Sequence, residues 1–263
     1  MKKRLDVLLV DLGLMPSREQ SQKVIRAGWV QVDQTVIDKP GTEVQDSANI
    51  LIKQRSPYVS RGGEKLAGAL TVFPISLSDR ICLDGGISTG GFTDYLFKNG
   101  AKKVYGIDVG YGQLAWEIRT DPRLILKERT NIRYLKPEEL YQPEDTYPDL
   151  AVLDLSFISL TKVLEPLWHL LAVPREVLLL VKPQFEAGRE LIGKNGVVRD
   201  TKVRAEAIAK VMNFALELGW KYNGITPSPI QGAAGNWEYW LWLNTESEVD
   251  APNLAAINQI CQL

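Results

Sequence analysis

Between residues 80 and 181 the chain carries five short apolar runs, Arg80 to Asp84, Lys103 to Asp108, Leu124 to Lys127, Leu150 to Asp154 and Val177 to Val181, with helix-patterned stretches between most of them. A parallel strand pair needs a crossover long enough for a helix, so this alternation predicts a parallel, doubly wound sheet. Further on, Trp220 to Ile230 and Glu238 to Leu243 read as strands joined only by the Gly-rich Gln231 to Asn236. That connection is too short for a crossover helix, and the pair should be antiparallel. At 263 residues there is room for this sheet and for a second, smaller domain.

Ligands of open parallel sheets bind beyond the carboxyl ends of the strands. At that place stands CLDGGISTGGFTDYL, Cys82 to Leu96. Glycine lacks the Cβ that keeps a ligand at a distance, so Gly85, Gly86, Gly90 and Gly91 would let the backbone lie against a bulky nucleoside. A phosphate-binding loop would need Lys-Ser/Thr after the last glycine, where the chain has Phe92-Thr93, and the G-x-G-x-x-G fingerprint is also missing. Asp108, 22 residues after Gly86, ends the second strand where an acidic group can accept from ribose hydroxyls. An adenosine-containing cofactor fits these features. NAD and S-adenosylmethionine share the geometry, and Asp84, a potential acceptor for an ammonium, together with the antiparallel last strands, favours the latter.

Four further polar residues fall at strand ends or at the entrance to the larger domain. Asp154 follows Leu150 to Leu153, Lys182 follows Val177 to Val181, Glu238 opens the last strand, and Lys65 lies just after Arg61-Gly62-Gly63-Glu64. A lysine placed directly after five apolar residues is costly to desolvate unless it has partners or a task.

The N-terminal segment has a different pattern. Leu5, Leu8, Leu9, Leu12 and Leu14 are at helical spacing, Ser17 and Gln20 fit a capping box before a helix over Arg18 to Ala27, and Gly28 stands in the stop position. Trp29 to Val32 and Thr35 to Ile37 flank Asp33-Gln34 as a short hairpin. Residues 2 to 26 carry six cationic side chains against three acidic ones, although the whole chain has a net charge of only -1. The expected division is a small α+β domain over 1–54, a linker over 55–60 that includes Pro57-Tyr58, and the larger domain over 61–263.

SRGGEKL, DGGISTGGFTD, GIDVGYGQL, ERTNIR, LDLSFISL, LVKPQFEAGR, GVVRD and GNWEY, in that order, resemble motifs of the TlyA family. The resemblance runs through Leu243 and implies an S4-like RNA-binding domain before an FtsJ-like, Rossmann-like methyltransferase domain with a mostly parallel seven-stranded sheet and an antiparallel last strand. It implies 2'-O-methylation of ribose, of cytidine in 16S and/or 23S ribosomal RNA, with S-adenosylmethionine as cofactor and RNA or ribosomal subunits as partners. It also implies a catalytic tetrad of Lys65, Asp154, Lys182 and Glu238. Lys182 would activate the hydroxyl, either as a base with a lowered pKa or as a cation, with Asp154 and Glu238 orienting the lysines and Lys65 positioning the ribose. The cofactor set becomes Asp84, Gly85, Gly86, Ser88, Thr89, Gly90, Gly91, Phe92, Asp108 and Asn131. Arg4, Arg18, Lys23, Arg26 and Lys39 become phosphate contacts, extended by Arg61 and Arg133. Two positions depart from the family, which more often has an aliphatic residue at Gly85 and alanine at Ile87.

A non-enzymatic RNA-binding protein on the same scaffold would keep RNA affinity without cofactor affinity, and the full tetrad argues against it. An NAD-dependent oxidoreductase lacks its fingerprint. A pore-forming haemolysin, a label the family sometimes carries, is disfavoured because no apolar run approaches the roughly 20 residues that span a bilayer. Cys82 and Cys261 suit neither a disulfide framework nor a metal site, no apolar leader follows Met1-Lys2-Lys3, and a cytoplasmic monomer without metal is expected. His169, the only histidine, reads as a packing residue, as do Trp237, Tyr239, Trp240 and Trp242. Phe185 to Asp200 is long enough to be a lid, and Asp250 to Leu263 reads as a closing helix.

Overall fold

The computed structural model describes residues 2–52 and 57–262. Arg55 and Ser56 of the expected linker lie outside the described residues. In chain order the first unit comprises β1 (Lys2–Arg4), α1 (Leu5–Asp11), α2 (Arg18–Arg26), β2 (Val30–Val32), β3 (Thr35–Val36), β4 (Glu43–Gln45) and β5 (Ile50–Ile52). β2 pairs with β3 and β5, and β1 with β4, all antiparallel. Leu5, Leu8, Leu9, Ile25, Val30, Val32 and Val44 form its core. The hairpin turn at Asp33-Gln34 has φ of 49° and 66°, the two left-handed positions that a two-residue turn needs to match strand twist. Ser17 accepts from Gln20 N and caps α2. The leucine spacing overran the first helix. α1 ends at Asp11, Gly13 turns left-handed at φ +67°, and Leu12 and Leu14 are exposed beyond it. The pairing of β1 with β4 has no signal in residues this polar.

The second unit runs α3 (Arg61–Val72), β6 (Ile81–Gly85), α4 (Gly91–Lys98), β7 (Lys103–Ile107), α5 (Trp116–Arg119), β8 (Leu124–Lys127), α6 (Pro137–Leu140), β9 (Leu150–Leu153), α7 (Leu164–Leu170), β10 (Glu176–Val181), α8 (Pro183–Glu186), α9 (Thr201–Glu217), β11 (Lys221–Pro227), β12 (Tyr239–Asn244) and α10 (Leu254–Ile260). Its seven strands lie in the order β11-β12-β10-β9-β6-β7-β8. β6 to β10 are mutually parallel where they pair, and β12 runs antiparallel to both β10 and β11.

The strands read as continuous apolar runs because both sheet faces are covered. On one face Leu83, Tyr105, Leu153, Leu179 and Leu241 pack with residues of α7 and α9 such as Leu167, Ile208 and Val211. On the other, Cys82, Val104, Val152, Leu178 and Trp240 meet Leu66, Ala69 and Phe73 of α3 and Phe92 and Leu96 of α4. Ile257 and Cys261 dock the terminal helix into the first of these layers. Tyr239 and Trp240 are buried and Trp237 and Trp242 partly so, all as packing residues. His169 corrects its expectation, since Leu167 and Leu170 carry the buried face of α7 and the imidazole side is exposed.

α3 and α4 cross through their glycines. A Cβ on Gly91 would collide with Ser60 Oγ and come within 2.9 Å of Gly63 N. Helix packing therefore requires glycine at position 91. Gly91→Ala is expected to cost about 1–3 kcal/mol of stability through overpacking, seen as a lower urea midpoint with an unchanged slope.

Candidate active site

β6 lies inside the sheet, with β7 and β8 following it on one side and β9 and β10 on the other, so strand order reverses between β6 and β9. The crevice beyond the carboxyl ends of those two strands is the binding position of such sheets. Asp84 comes from β6 and Asp154 follows β9.

Asp84 is fully buried. Its Oδ2 accepts from Thr93 N at 3.1 Å and Thr93 Oγ1 at 2.7 Å, while its buried Oδ1 has no partner among the described residues. Burial pushes its carboxyl up to about 7, with Asp154 and Asp108 adding to the shift and the Thr93 hydrogen bonds opposing it. The chain then turns at Gly86, where φ is +85° and a Cβ would lie 2.6 Å from the Asp154 carbonyl oxygen. Only glycine combines that conformation with so close an approach. Ser88 N donates to Asp108 Oδ2 at 2.7 Å and Gly110 N to Asp108 Oδ1 at 2.6 Å, so Asp108 ties this loop to the one after β7.

Both family departures have neighbours that accommodate them. Around Gly85, Leu153 Cγ and Ile132 Cδ1 would lie 3.1 and 3.3 Å from a Cβ, and their side chains take up the room of an aliphatic residue. Ile87 is buried, and its Cδ1 occupies the space where Gly106 lacks a Cβ.

The four polar residues picked out by placement converge into a chain of alternating charge. Lys65 Nζ donates to Glu238 Oε2 at 2.7 Å and lies 3.6 Å from Asp154 Oδ2. Lys182 pairs with Asp154 Oδ1, and its Nζ donates to Ser156 Oγ at 3.0 Å. Burial alone would push Asp154 upward, but Lys182 and Lys65 outweigh it and hold the carboxylate well below its ordinary range. Burial disfavours the charge on Lys65, and Asp154 and Glu238 overcome it, so its pKa is raised. Sequence reasoning missed Ser156 and Gly232, whose missing side chain makes way for the Glu238 carboxylate.

The crevice is completed by the first unit, through Arg26, Ala27, Gly28, Val36 and Asp38. Arg61 N donates to Ala27 O at 3.1 Å, its stem packs on Gly28, and its Nη2 donates to Gln231 O at 2.8 Å. Burial lowers its pKa, and the side chain bridges this junction while lining the crevice. The Lys39 ammonium stands 5.2 Å from the ring centre of Phe157. Arg4 and Arg18 both donate to the buried Asp6, as does Gln22, and each guanidinium stays about half exposed. Lys23 pairs with Glu19, and Arg26 faces the crevice. Arg133 is exposed beside Tyr134, and the Asn131 side chain caps that turn. Thr89, Phe92 and Gly90 sit around the start of α4, with Gly90 in the left-handed capping position. Among the described residues, no group of three or more His, Cys, Asp or Glu side chains is placed to hold a metal ion, and no helix is long and apolar enough to cross a membrane.

Fold and crevice define a methyltransferase of the FtsJ-like class, whose family model matches residues 58–245, preceded by an S4 domain matching residues 3–50. Bacillus subtilis YqxC is 46% identical over 248 residues, covering 94% of this chain and 87% of its own. The Mycobacterium tuberculosis protein named 16S/23S rRNA (cytidine-2'-O)-methyltransferase TlyA is 46% identical over 247 residues, covering 93% and 91%. A solved Streptococcus thermophilus structure that carries a hemolysin name superposes with a TM-score of 0.76 at 40% identity, covering 99% of this chain and 94% of that one. The chain belongs to the TlyA family of S4-containing, FtsJ-like methyltransferases.

The buried, raised Asp84 carboxylate opposes folding. Its folded pKa of about 7 exceeds the unfolded value of about 3.9, so the cost of ionising it grows from pH 4 to 7 and is complete above 7. Asp84→Asn is expected to raise the melting temperature at pH 8, with the gain shrinking as pH falls and vanishing below pH 4. Thermal unfolding across that range checks it.

Proposed function

We propose that the protein transfers a methyl group from S-adenosylmethionine to the 2'-hydroxyl of a cytidine in 16S and/or 23S ribosomal RNA, acting in the cytoplasm where ribosomal subunits are found. The observation that carries the reading is the Glu238–Lys65–Asp154–Lys182 chain at the crevice, one strand away from the partnerless Asp84 oxygen. A buried acceptor without a donor suits a cationic ligand group, and the ammonium of S-adenosylmethionine is one. Asp84 would hold that ammonium and Asp108 the ribose hydroxyls, with Gly85, Gly86, Ser88, Thr89, Gly90, Gly91, Phe92 and Asn131 around the rest. When bound, the cofactor supplies a methyl already activated on a sulfonium.

A ribose hydroxyl is a weak nucleophile, so the chain's own residues must align it and manage the charge that develops on its oxygen. Lys182, paired with Asp154, would activate the attacking hydroxyl, either as a base that takes up its proton or as a cation that stabilises the developing alkoxide while the proton leaves to water. Asp154 fixes both lysines from between them, Glu238 fixes Lys65 from the far side, and Lys65 positions the ribose. Residues 1–54 would grip the RNA backbone through Arg4, Arg18, Lys23, Arg26 and Lys39, and residues 55–60 would link them to a catalytic domain over 61–263. Arg133 would extend that surface. Arg61 would act through the junction between the units rather than as a free phosphate contact.

The test is transfer of labelled methyl from S-adenosylmethionine to free ribosomal RNA, to each ribosomal subunit and to whole ribosomes. Alkaline hydrolysis follows, because a phosphodiester beside a 2'-O-methyl group survives alkali. Alkali-resistant label is expected with the wild type, and Lys182→Ala should lower the rate by about 10²-fold or more. No label on RNA in any assembly state, or transfer by Lys182→Ala at the wild-type rate, would sink the reading.

A further inference from the structure

The segment after β9 is held from the side by the segment after β10 at two points. Lys182 Nζ donates to Ser156 Oγ at 3.0 Å. Four residues on, the Glu186 carboxylate accepts from the Ser159 hydroxyl and from Leu160 N at 2.7 Å. Between these anchors Phe157 sits at φ +64° and is 78% exposed, its ring centre 5.1 Å from that of Phe185. A bulky residue stays in the left-handed region only where its surroundings over-determine it. Glu186 is itself fixed from behind, since Lys210 of α9 donates to its carbonyl oxygen at 2.7 Å and stands 4.0 Å from its carboxylate.

Packing alone does not explain this arrangement. The Glu186 side chain is only 1% exposed, and burying a carboxylate costs more than burying an apolar side chain of the same size. What the carboxylate serves is one hydroxyl and one backbone N–H, both in the loop that carries Asp154 and Ser156, the two polar partners of Lys182. A loop anchored at one end only could swing Ser156 and the Asp154 carboxylate away from the lysine.

We propose that Glu186 is a positioning residue for methyl transfer, which ties the loop after β9 to α8 and so keeps Asp154 and Ser156 around Lys182. The inference rests on the reading of Lys182 as the group at the attacking oxygen. Burial pushes the Glu186 carboxyl above its ordinary range, with Ser159, Leu160 N–H and Lys210 opposing the shift. A glutamine can keep both contacts, its oxygen accepting from Leu160 N while Ser159 turns its hydroxyl to accept from the amide nitrogen.

Methyl transfer to ribosomal RNA is measured for Glu186→Ala, Glu186→Gln, Ser159→Ala and the Ser159/Glu186 double alanine variant, beside wild type and Lys182→Ala. Glu186→Ala is expected to lower kcat by about tenfold or more, with the KM for S-adenosylmethionine within about twofold of wild type. Glutamine should restore kcat to within about threefold, and the double variant should be no worse than Glu186→Ala alone, as expected for residues sharing one contact. A folded Glu186→Ala with wild-type kcat overturns the inference. So does a loss that appears equally in cofactor KM and melting temperature and is not rescued by glutamine. If Glu186→Ala does not fold, Ser159→Ala decides, and full kcat there is equally fatal. Transfer by Lys182→Ala at the wild-type rate, or none by the wild type, removes the reading of the site and this inference with it.

Discussion

The chain of charge Glu238–Lys65–Asp154–Lys182 joins α3, the end of β9, the end of β10 and the start of β12. Each ion lies largely out of water, where an unpaired charge would cost several kcal/mol. Signs alternate along the chain, so every member has an opposite charge beside it and the two interior members have one on each side. This requirement fixes the surrounding fold closely. Helix α3 must present Lys65 over the sheet edge, and Gly91 allows α3 to approach α4 closely enough to do so. The reversed direction of β12 matters for the same reason. In an antiparallel strand the residue that opens the strand stands at the edge where the parallel strands end, and Glu238 thereby meets residues that follow β9 and β10.

The first unit takes part in the crevice as well. Ala27 and Gly28, just past α2, receive the Arg61 backbone and stem, and Arg61 lies one helical turn before Lys65. Across the opening, Lys39 of the first unit faces Phe157 of the loop that follows Asp154. A polyanion gripped by that unit would therefore arrive already aligned with the crevice. The buried Asp6 holds the two half-exposed guanidiniums of Arg4 and Arg18 together. Asp6 is held ionised by its partners, Arg4 foremost, despite its burial.

What could be read in the residues and what could not separates along sequence distance. Strands covered on both faces had to be apolar throughout, so the five central runs stood out, and a charged residue directly after such a run is conspicuous enough to mark Asp84, Asp154 and Lys182. The pairing of these residues with Lys65 and Glu238 was legible only through family resemblance, because nothing local in the chain ties residue 65 to residue 238. Ser156, Gly232 and Glu186 are ordinary residues in sequence. Their roles come from partners that folding alone brings alongside, 26 residues apart for Lys182 with Ser156 and for Glu186 with Leu160. The same limit hid the helix contact at Gly91 and the junction that Arg61 makes with Ala27 and Gln231. His169 failed for a simpler reason, a helical phase that buries Leu167 and Leu170 and turns the residue between them outward.

Asp84 and Asp154 stand at the ends of neighbouring parallel strands, the first fully buried and the second partly so, and their carboxyls are driven in opposite directions. Among the described residues no cation pairs with Asp84, and burial raises it to about 7. Two lysines flank Asp154 and lower it below its ordinary range. Paired groups whose environments separate their pKa values commonly have separate tasks. The charge of Asp154 is matched within the chain by the lysines on either side. Asp84 keeps one oxygen buried and without a partner among the described residues, a state that costs stability unless a donor completes it. The crevice thus holds one carboxylate whose partners are built in and one with an open oxygen among the described residues, which is the asymmetry that the proposed division between an acceptor oxygen on the β9 side and a cofactor on the β6 side rests on.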